Sequence, residues 1–454
     1  MPAAIEYTTD QASPEHRALE EAYAKEHDAR LAAIDRRWRY YQGIMPAPLR
    51  IESDGVNDNV LLPKVAEIAD KIRSFLLGDG VQFDTDPTTE ERGDLDEALD
   101  AIWLANRGKR LQSHLALSGV LAGHCWVQVV PQEGKLPRLI NVDPRHASAF
   151  WDVGDVERVL WYRLQYSAGA QRRRVDYVRQ SAIDRSAADD VWQQFVYTMP
   201  AHATRWQEAQ PTEQLEFLPL VDWQNSGLPF GYYGQDDVSP ALALNDSINL
   251  IASDYARILK HHSSPRTIGI GMDAADVVGS SVSGFYTVNK PKTEADIFNL
   301  EMQSDLKSAY DYLLFLIREA WHSGRMVDPD TVRDTIGTLT NFGLRVMMHD
   351  ALAKTADKRE LYSEGLERVN KAALVAAGLT PPEHIATTWP DVLPEDPAET
   401  QVLMQEQAAG IISRQTYRER RGYDQEQEEQ RIEEEKAGED DLGTRLLSAF
   451  EKGQ

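Results

Sequence analysis

The chain has 454 residues, 48 basic against 73 acidic, for a net charge of −25, with 42% hydrophobic and 27% charged content. That length equals about three average domains, and the composition is that of a folded protein with a large core, which excludes global disorder. The densest apolar run, Tyr310–Ile317, falls well short of the ~18–20 residues that span a bilayer, and the single cysteine, Cys125, excludes a disulfide scaffold or a zinc site of several thiolates.

Met1–Asp10 is polar and acidic and reads as no export signal; with one cysteine, this fits a reducing compartment. Ser13–Tyr41 reads as a charged helix, with Ala18, Ala22, Leu31, Ile34 and Trp38 near helical spacing and Pro14 at its first position. Arg36, Arg37 and Arg39 gather at its end, where cations suit a helix C-terminus; phosphate contact is the alternative. Tyr40–Leu49 breaks the helix with Gly43, Pro46 and Pro48. Val65, Ile68, Ile72 and Phe75 predict a helix over Leu62–Leu77, followed by a loop over Gly78–Pro87. Two more helices are expected at Leu95–Asn106 and Lys109–Ala122. Trp126–Val130, Leu139–Val142, Val159–Gln165, Val175–Arg179 and Trp192–Tyr197 carry the β-branched and aromatic residues of strands. The first ~235 residues therefore form an α+β domain.

From Ser239 the texture changes. Ser239–Pro240 is a cap with proline behind it. Leu244, Ile248, Ile251, Tyr255 and Ile258 follow at spacings of 4, 3, 4 and 3, and Leu306, Tyr310, Leu313, Ile317 and Ala320 repeat that spacing. Between them lie strand-like segments at Thr267–Ile270, Gly279–Gly284, Phe285–Val288 and Ile297–Leu300. Two matched helices around a small β insertion describe a stalk with a tip. After Gly324 comes a polar loop holding Arg325, Asp328, Pro329, Asp330, Arg333 and Asp334. A helix over about Asn341–Ala377 then puts Leu344, Met348, Ala351, Lys358, Tyr362, Leu366, Val369 and Ala373 on one face, roughly 55 Å long. Gly378 and Pro381-Pro382 end it. Ile385–Trp389 is a short strand, Pro390, Pro394 and Pro397 stiffen a linker, and Glu399–Gly410 and Arg414–Gly422 are helical. Gln425–Asp441 is an acidic run, a solvated face or tail. No internal repeat of fixed period is visible.

Chemical motifs are sparse. Gly269-Ile270-Gly271-Met272-Asp273-Ala274 has glycines at dinucleotide-fingerprint spacing, but a glycine- and serine-rich stretch follows where the fingerprint needs a helix. A β-hairpin loop is the reading; a nucleotide-binding enzyme is the minor alternative. No phosphate loop, HExxH or GxSxG occurs. His124 beside Cys125 reads as a packed structural pair, and Asp236-Asp237 and Asp189-Asp190 as surface or capping acids. No enzyme activity, cofactor or metal is expected.

The order of elements resembles the portal proteins of tailed bacteriophages. Trp38-Arg39-Tyr40-Tyr41-Gln42-Gly43 looks like that family's "YY.G" segment, and Asn57–Gly78 like its helix with a "LLG" end. Leu104–Val130 looks like the helix pair leading into a strand, and Asp143-Pro144 sits like a strand-ending proline. Phe217–Asn225 resembles the "PVV.F.N" strand, and Asp246–Asn249 the start of the first stalk helix. Trp389–Asp396 and Ile412–Thr416 resemble the "W.D.LP.D" and "IS..T" segments. Together they cover about residues 38–435; the 166–191 region, with Arg172-Arg173-Arg174, has no counterpart.

The resemblance implies a ring-forming portal-type α+β subunit, usually in a homo-oligomer of about twelve, at one capsid vertex of the virion and assembled in the host cytoplasm. It implies an α/β wing over 1–238 and a two-helix stem over 239–264 and 305–323. A small β-rich clip (265–304) and a channel loop (324–342) would follow. The long wing helix and a wing strand would fill 343–394, and an α-helical crown with an acidic tail 395–454. Double-stranded DNA would pass through the centre. The large terminase and later a head-completion adaptor would dock on the clip, where Lys290 and Lys292 are candidate contacts, and the major capsid and scaffolding proteins would be partners, with no membrane involved. The acidity argues against wrapping nucleic acid but suits a conduit, because fixed phosphate contacts would resist sliding. Lys260, Lys307, Arg318, Arg325 and Arg333 would then steer phosphates among the acids Asp328, Asp330 and Asp334; pairing with a neighbouring subunit is an equal alternative for each. A non-portal adaptor or scaffold with a coiled-coil stalk is the runner-up.

Overall fold

A computed structural model describes residues 14–44, 59–78, 80–86, 92–152, 154–183, 191–200, 203, 206–263, 266–270, 277–278, 287–288, 296–300, 306–335, 341–392, 404–411 and 413. Helix α1 (Pro14–Tyr41) leads to α2 (Lys64–Leu77), β1 (Gln82–Asp84), α3 (Asp94–Ala105) and α4 (Gly108–Ala122). Then come β2 (His124–Gln132), β3 (Lys135–Asn141), β4 (Ala147–Trp151), β5 (Val159–Ala168), β6 (Gln171–Arg179), α5 (Gln180–Ile183), β7 (Trp192–Pro200), β8 (Gln207–Leu215) and β9 (Leu220–Gln224). Helix α6 (Ser239–Ser263) is followed by β10 (Arg266–Ile270), β11 (Val277–Val278), β12 (Thr287–Val288), β13 (Asp296–Leu300) and α7 (Leu306–Ser323). The chain closes with α8 (Pro329–Thr335), α9 (Asn341–Met347), α10 (His349–Ala376) and β14 (Ala386–Thr388).

The strands make two main antiparallel sheets, ordered β3-β2-β9 and β4-β5-β6-β7-β8. Runs of consecutive buried residues in β2, β4, β6 and β9 are what strands rich in β-branched and aromatic residues give when covered on both faces. Three cores result. One gathers Leu99, Ile102, Val127, Trp223, Tyr362, Leu366 and Val369 around α10. A second joins Tyr40, Ile68, Ile72, Val120, Ile248, Leu313 and Trp321, so α1, α2, α4, α6 and α7 meet there. A third fills the larger sheet with Trp126, Trp151, Tyr162, Tyr177 and Trp192. Gly123, at φ +80, ends α4 and turns the chain straight into β2; a Cβ there would lie 2.3 Å from the Gly234 carbonyl oxygen.

Several expectations change. The Gly78–Pro87 loop contains β1, which pairs antiparallel with β14. Strands β4 and β8 were not foreseen, and the unplaced arginine run Arg172-Arg173-Arg174 lies in β6, where Arg174 and Arg163 both ion-pair with buried Asp176. The loop after Gly324 contains α8, with Pro329 as its first residue. The long helix is interrupted at Met348 (φ −91, ψ 4). The hydrogen bonds Met348 N–H to Leu344 O and Leu352 N–H to Met348 O persist, so this is a kink, and α10 alone spans about 42 Å.

His124 and Cys125 are packed, as their isolation in the sequence suggests. His124 Nε2 is 2.8 Å from buried Asp222, which also accepts from the hydroxyls of Tyr162 and Tyr232. The Cys125 thiol bonds Leu115 O and Tyr362, and burial pushes its pKa up to about 12. Among the described residues, no cluster of His, Cys, Asp or Glu could hold a metal ion, and no helix is long and apolar enough to cross a membrane.

Candidate functional site

The feature set apart from the α/β body is the hairpin of α6 and α7. The helices are joined across the far end by β10 and β13, which pair antiparallel from Arg266↔Leu300 to Ile270↔Asp296. The glycine pair Gly269-Ile270-Gly271 thus begins on a ladder strand, and Val277-Val278 is strand β11, paired with β12. A dinucleotide fingerprint needs a helix after its glycines; a strand stands there instead.

Two kinds of side chain anchor the hairpin. The apolar stripe is partly as expected: Ile248 and Leu313 are buried, Leu244, Ile251, Tyr255, Ile258 and Ile317 half-buried. Tyr310 is mostly exposed, though its ring lies 6.3 Å from that of Tyr255. The side chain of Leu306 lies outside the described residues.

The second kind is a polar ladder that the apolar pattern does not reveal. Asn245, Asn249 and Ser253, four apart on α6, are fully buried. Their side-chain oxygens accept the backbone N–H groups of Val65, Leu62 and Val60 at 3.2, 2.8 and 2.9 Å. Arg257 continues the row, donating to Asn59 Oδ1 at 2.9 Å. Segment 59–65 is thereby laid along α6, with three of its backbone donors satisfied by side chains rather than by a sheet. The spacing was visible in the sequence; nothing said which backbone would face it.

The feet of the hairpin are fixed by charge. Asp236 caps α6, accepting from the N–H groups of Val238 and Ser239 at 3.0 and 2.7 Å and pairing with Arg37 at 2.9 Å. Arg37 is therefore engaged in structure. Asp237 is no surface acid: it is buried between Lys354 Nζ (2.7 Å) and Lys358 Nζ on α10, and its backbone N–H donates to Val120 O. Burial alone would raise its pKa, but the two ammonium groups outweigh that and hold it below the usual carboxylate range. Asn225 completes the cluster, accepting from Lys358 and Tyr362 at 3.0 Å each and donating to Asp237 and Gln235 O.

The remaining predicted residues are scattered. Lys260, Lys307, Arg318, Arg325 and Arg333 are all exposed. Asp330 and Arg333, both exposed, pair at 3.3 Å within α8. Asp328 is 9% exposed, and its Oδ1 accepts the Asp330 N–H at 3.2 Å at the start of α8. Gly324 is pressed so closely on α2 that a Cβ would lie 2.8 Å from Ile68 Cγ2, and Met326 is buried in the same core. The Asp334 side chain, Lys290, Lys292 and nearly all of 393–454 lie outside the described residues.

A family model described as "Phage portal protein, SPP1 Gp6-like" matches residues 20–442. The chain belongs to this phage portal protein family. Among solved structures, a chain from the virion of a native gene transfer agent particle matches at 14% identity and a TM-score of 0.50, over 80% of this chain and 90% of that one. A chain from the neck of an empty gene transfer agent particle matches at 15% identity and a TM-score of 0.46, over 80% and 89%. At such identities the first likeness is one of fold. No curated protein sequence matches. The portal motifs read from the sequence have structural work to do here: Tyr40 and Tyr41 of "YY.G" donate to Asp246 and Asp70, Asn225 ends the "PVV.F.N" strand in the buried cluster, and Trp389 donates to Ser363 of α10.

Proposed function

We propose that this portal-family chain assembles into a closed ring at one capsid vertex, and that double-stranded DNA enters and leaves the capsid through the ring. The α6–α7 hairpin would be the stem, 265–304 the clip that receives the large terminase and then a head-completion adaptor, and 324–342 the segment nearest the DNA. Major capsid and scaffolding proteins would surround the ring. The chain would act as a structural conduit, with the ATPase on a separate protein.

The observation that carries this reading is the outer face of α7. Tyr312 and Phe315 stack there at 6.2 Å between ring centres, each 51% exposed. Leu250 and Leu259 of α6 are exposed as well. Large apolar groups on a two-helix projection call for a cover, and neighbouring copies supply one. The net charge of −25 per chain, repeated around a ring, keeps DNA from sticking.

Negative-stain electron microscopy with light scattering tests the assembly. A ring of about twelve 51.2 kDa chains with a central hole is expected. A dimer or trimer would favour an adaptor or scaffold with a coiled-coil stalk.

A further inference from the structure

Lys354 occupies an unusual position. Its ammonium lies 2.7 Å from Asp237 Oδ1, two residues before α6, and donates at 2.7 Å to the carbonyl oxygen of Gly324, just past α7. One side chain of α10 thus touches both feet of the hairpin. It is largely buried, with 13% of its side chain exposed.

Charge arithmetic separates Lys354 from Lys358. The cluster holds two ammonium groups and one carboxylate. Lys358 suffices to neutralise Asp237, and it also satisfies Asn225 Oδ1. Lys354 is the cation in excess. What it adds is the bond to Gly324 O, one residue past the partially negative end of α7, where the carbonyls of Trp321 and His322 already accept the N–H groups of Met326 and Arg325. Asp237 is independently anchored to α4 through Val120 O, and Asp236 caps α6. The foot of α6 is therefore held several times over, whereas Lys354 ties the foot of α7 to it.

We propose that Lys354 is a positioning residue: it locks the start of α6 and the end of α7 to α10, so that the hairpin and the segment beginning at Arg325 keep a fixed placement on the body. This deepens the reading of the hairpin as a stem and rests on it for its role in DNA passage.

The test is Lys354→Met, which keeps the length of the side chain and leaves Asp237 paired with Lys358. Hydrogen exchange read by mass spectrometry should be at least ten times faster in peptides covering 237–241 and 320–326, and unchanged in α4 and β2. The melting temperature should stay within about 3 °C of wild type. Exchange unchanged at both feet would overturn the proposal; so would an equal rise everywhere or a collapsed fold, since either makes Lys354 a general stability residue. Asp237→Asn, which leaves two buried ammonium groups without a carboxylate, should by contrast lose the folded protein; wild-type stability in that variant would overturn the charge assignment. Rings of Lys354→Met should form normally but protect at least five times less DNA from nuclease, and ordinary protection would overturn the positioning role. Absence of rings from the wild-type chain would instead fail the portal reading, and the exchange result would stand without it.

Discussion

The hydroxyl of Tyr40 lies 2.8 Å from each carboxylate oxygen of Asp246, tying the last turn of α1 to the second turn of α6. Burial, with the nearby carboxylate, raises the pKa of Tyr40, so the phenol stays protonated and donates. Tyr40→Phe removes a hydrogen bond to a charged group and should lower stability by about 1.5–3 kcal/mol. Urea unfolding with an unchanged slope is the measurement. A midpoint equal to wild type would mean that α1 does not brace the hairpin.

Assembly and folding can be separated on α7. Leu313 is 9% exposed, so Leu313→Asp buries an unpaired charge and should cost several kcal/mol, losing folded chain and rings together. Ile251→Asp, at a half-buried position, should act the same way less severely. Phe315→Asp, on the exposed face, should leave the chain folded by circular dichroism yet monomeric in size-exclusion chromatography with light scattering. Rings from Phe315→Asp would show that this aromatic face is not an interface between copies.

The segment after α7 carries two basic and three acidic residues, a charge of −1. A variant that keeps Asp328, which serves the start of α8, can change Asp330, whose pair with Arg333 is exposed, together with Asp334. Asp330→Lys with Asp334→Lys takes each copy to +3. If the segment borders DNA, those rings should form but package little at low salt, recovering as salt rises. Nuclease-protected DNA over a salt series reads this out, and wild-type packaging at low salt would place the segment away from the duplex.

Acid should unfold the protein from an identifiable point. Burial, aided by Arg30 and Arg163, drives the pKa of His27 down to about 3, and burial also lowers that of His124. Both are neutral in the fold and take up a proton near pH 6.5 once unfolded. The unfolded state then binds more protons, so stability falls as pH drops below 6.5, by at most about 1.4 kcal/mol per pH unit for each histidine. Asp176, Asp222 and Asp237, with lowered pKa values, add their losses only below their ordinary value of 3.8. Urea midpoints from pH 7 to 4.5 should decline, and His27→Gln should flatten the decline. A flat wild-type profile over that range would contradict neutral burial of both rings.

What the sequence revealed followed from periodicity. The spacings of 4 and 3 placed α6 and α7 within one or two residues, because each has one apolar stripe. Strand β8, Gln-Glu-Ala-Gln-Pro-Thr-Glu-Gln-Leu, carries almost no apolar residues and lies at a sheet edge, so no alternation marked it. Helix α8 begins with Asp328-Pro329, the same kind of signal as Ser239-Pro240, but its charged residues hid it. The kink at Met348 has neither glycine nor proline to announce it. Asp237 looked like a surface or capping acid, and Lys358 stood on the apolar face of the long helix with no partner in view, since burial of an ion cluster depends on which elements meet, and no single segment records that.

The polar ladder on α6 has a consequence for symmetry. One flank of that helix is closed off by the chain's own residues 59–65, through Asn245, Asn249 and Ser253. Across the hairpin, α7 shows Tyr312 and Phe315 to the outside. The projection has unlike flanks. In a ring, such projections would join unlike side to unlike side, each contact leaving one flank open for the next copy. Such a series ends only when the last member meets the first.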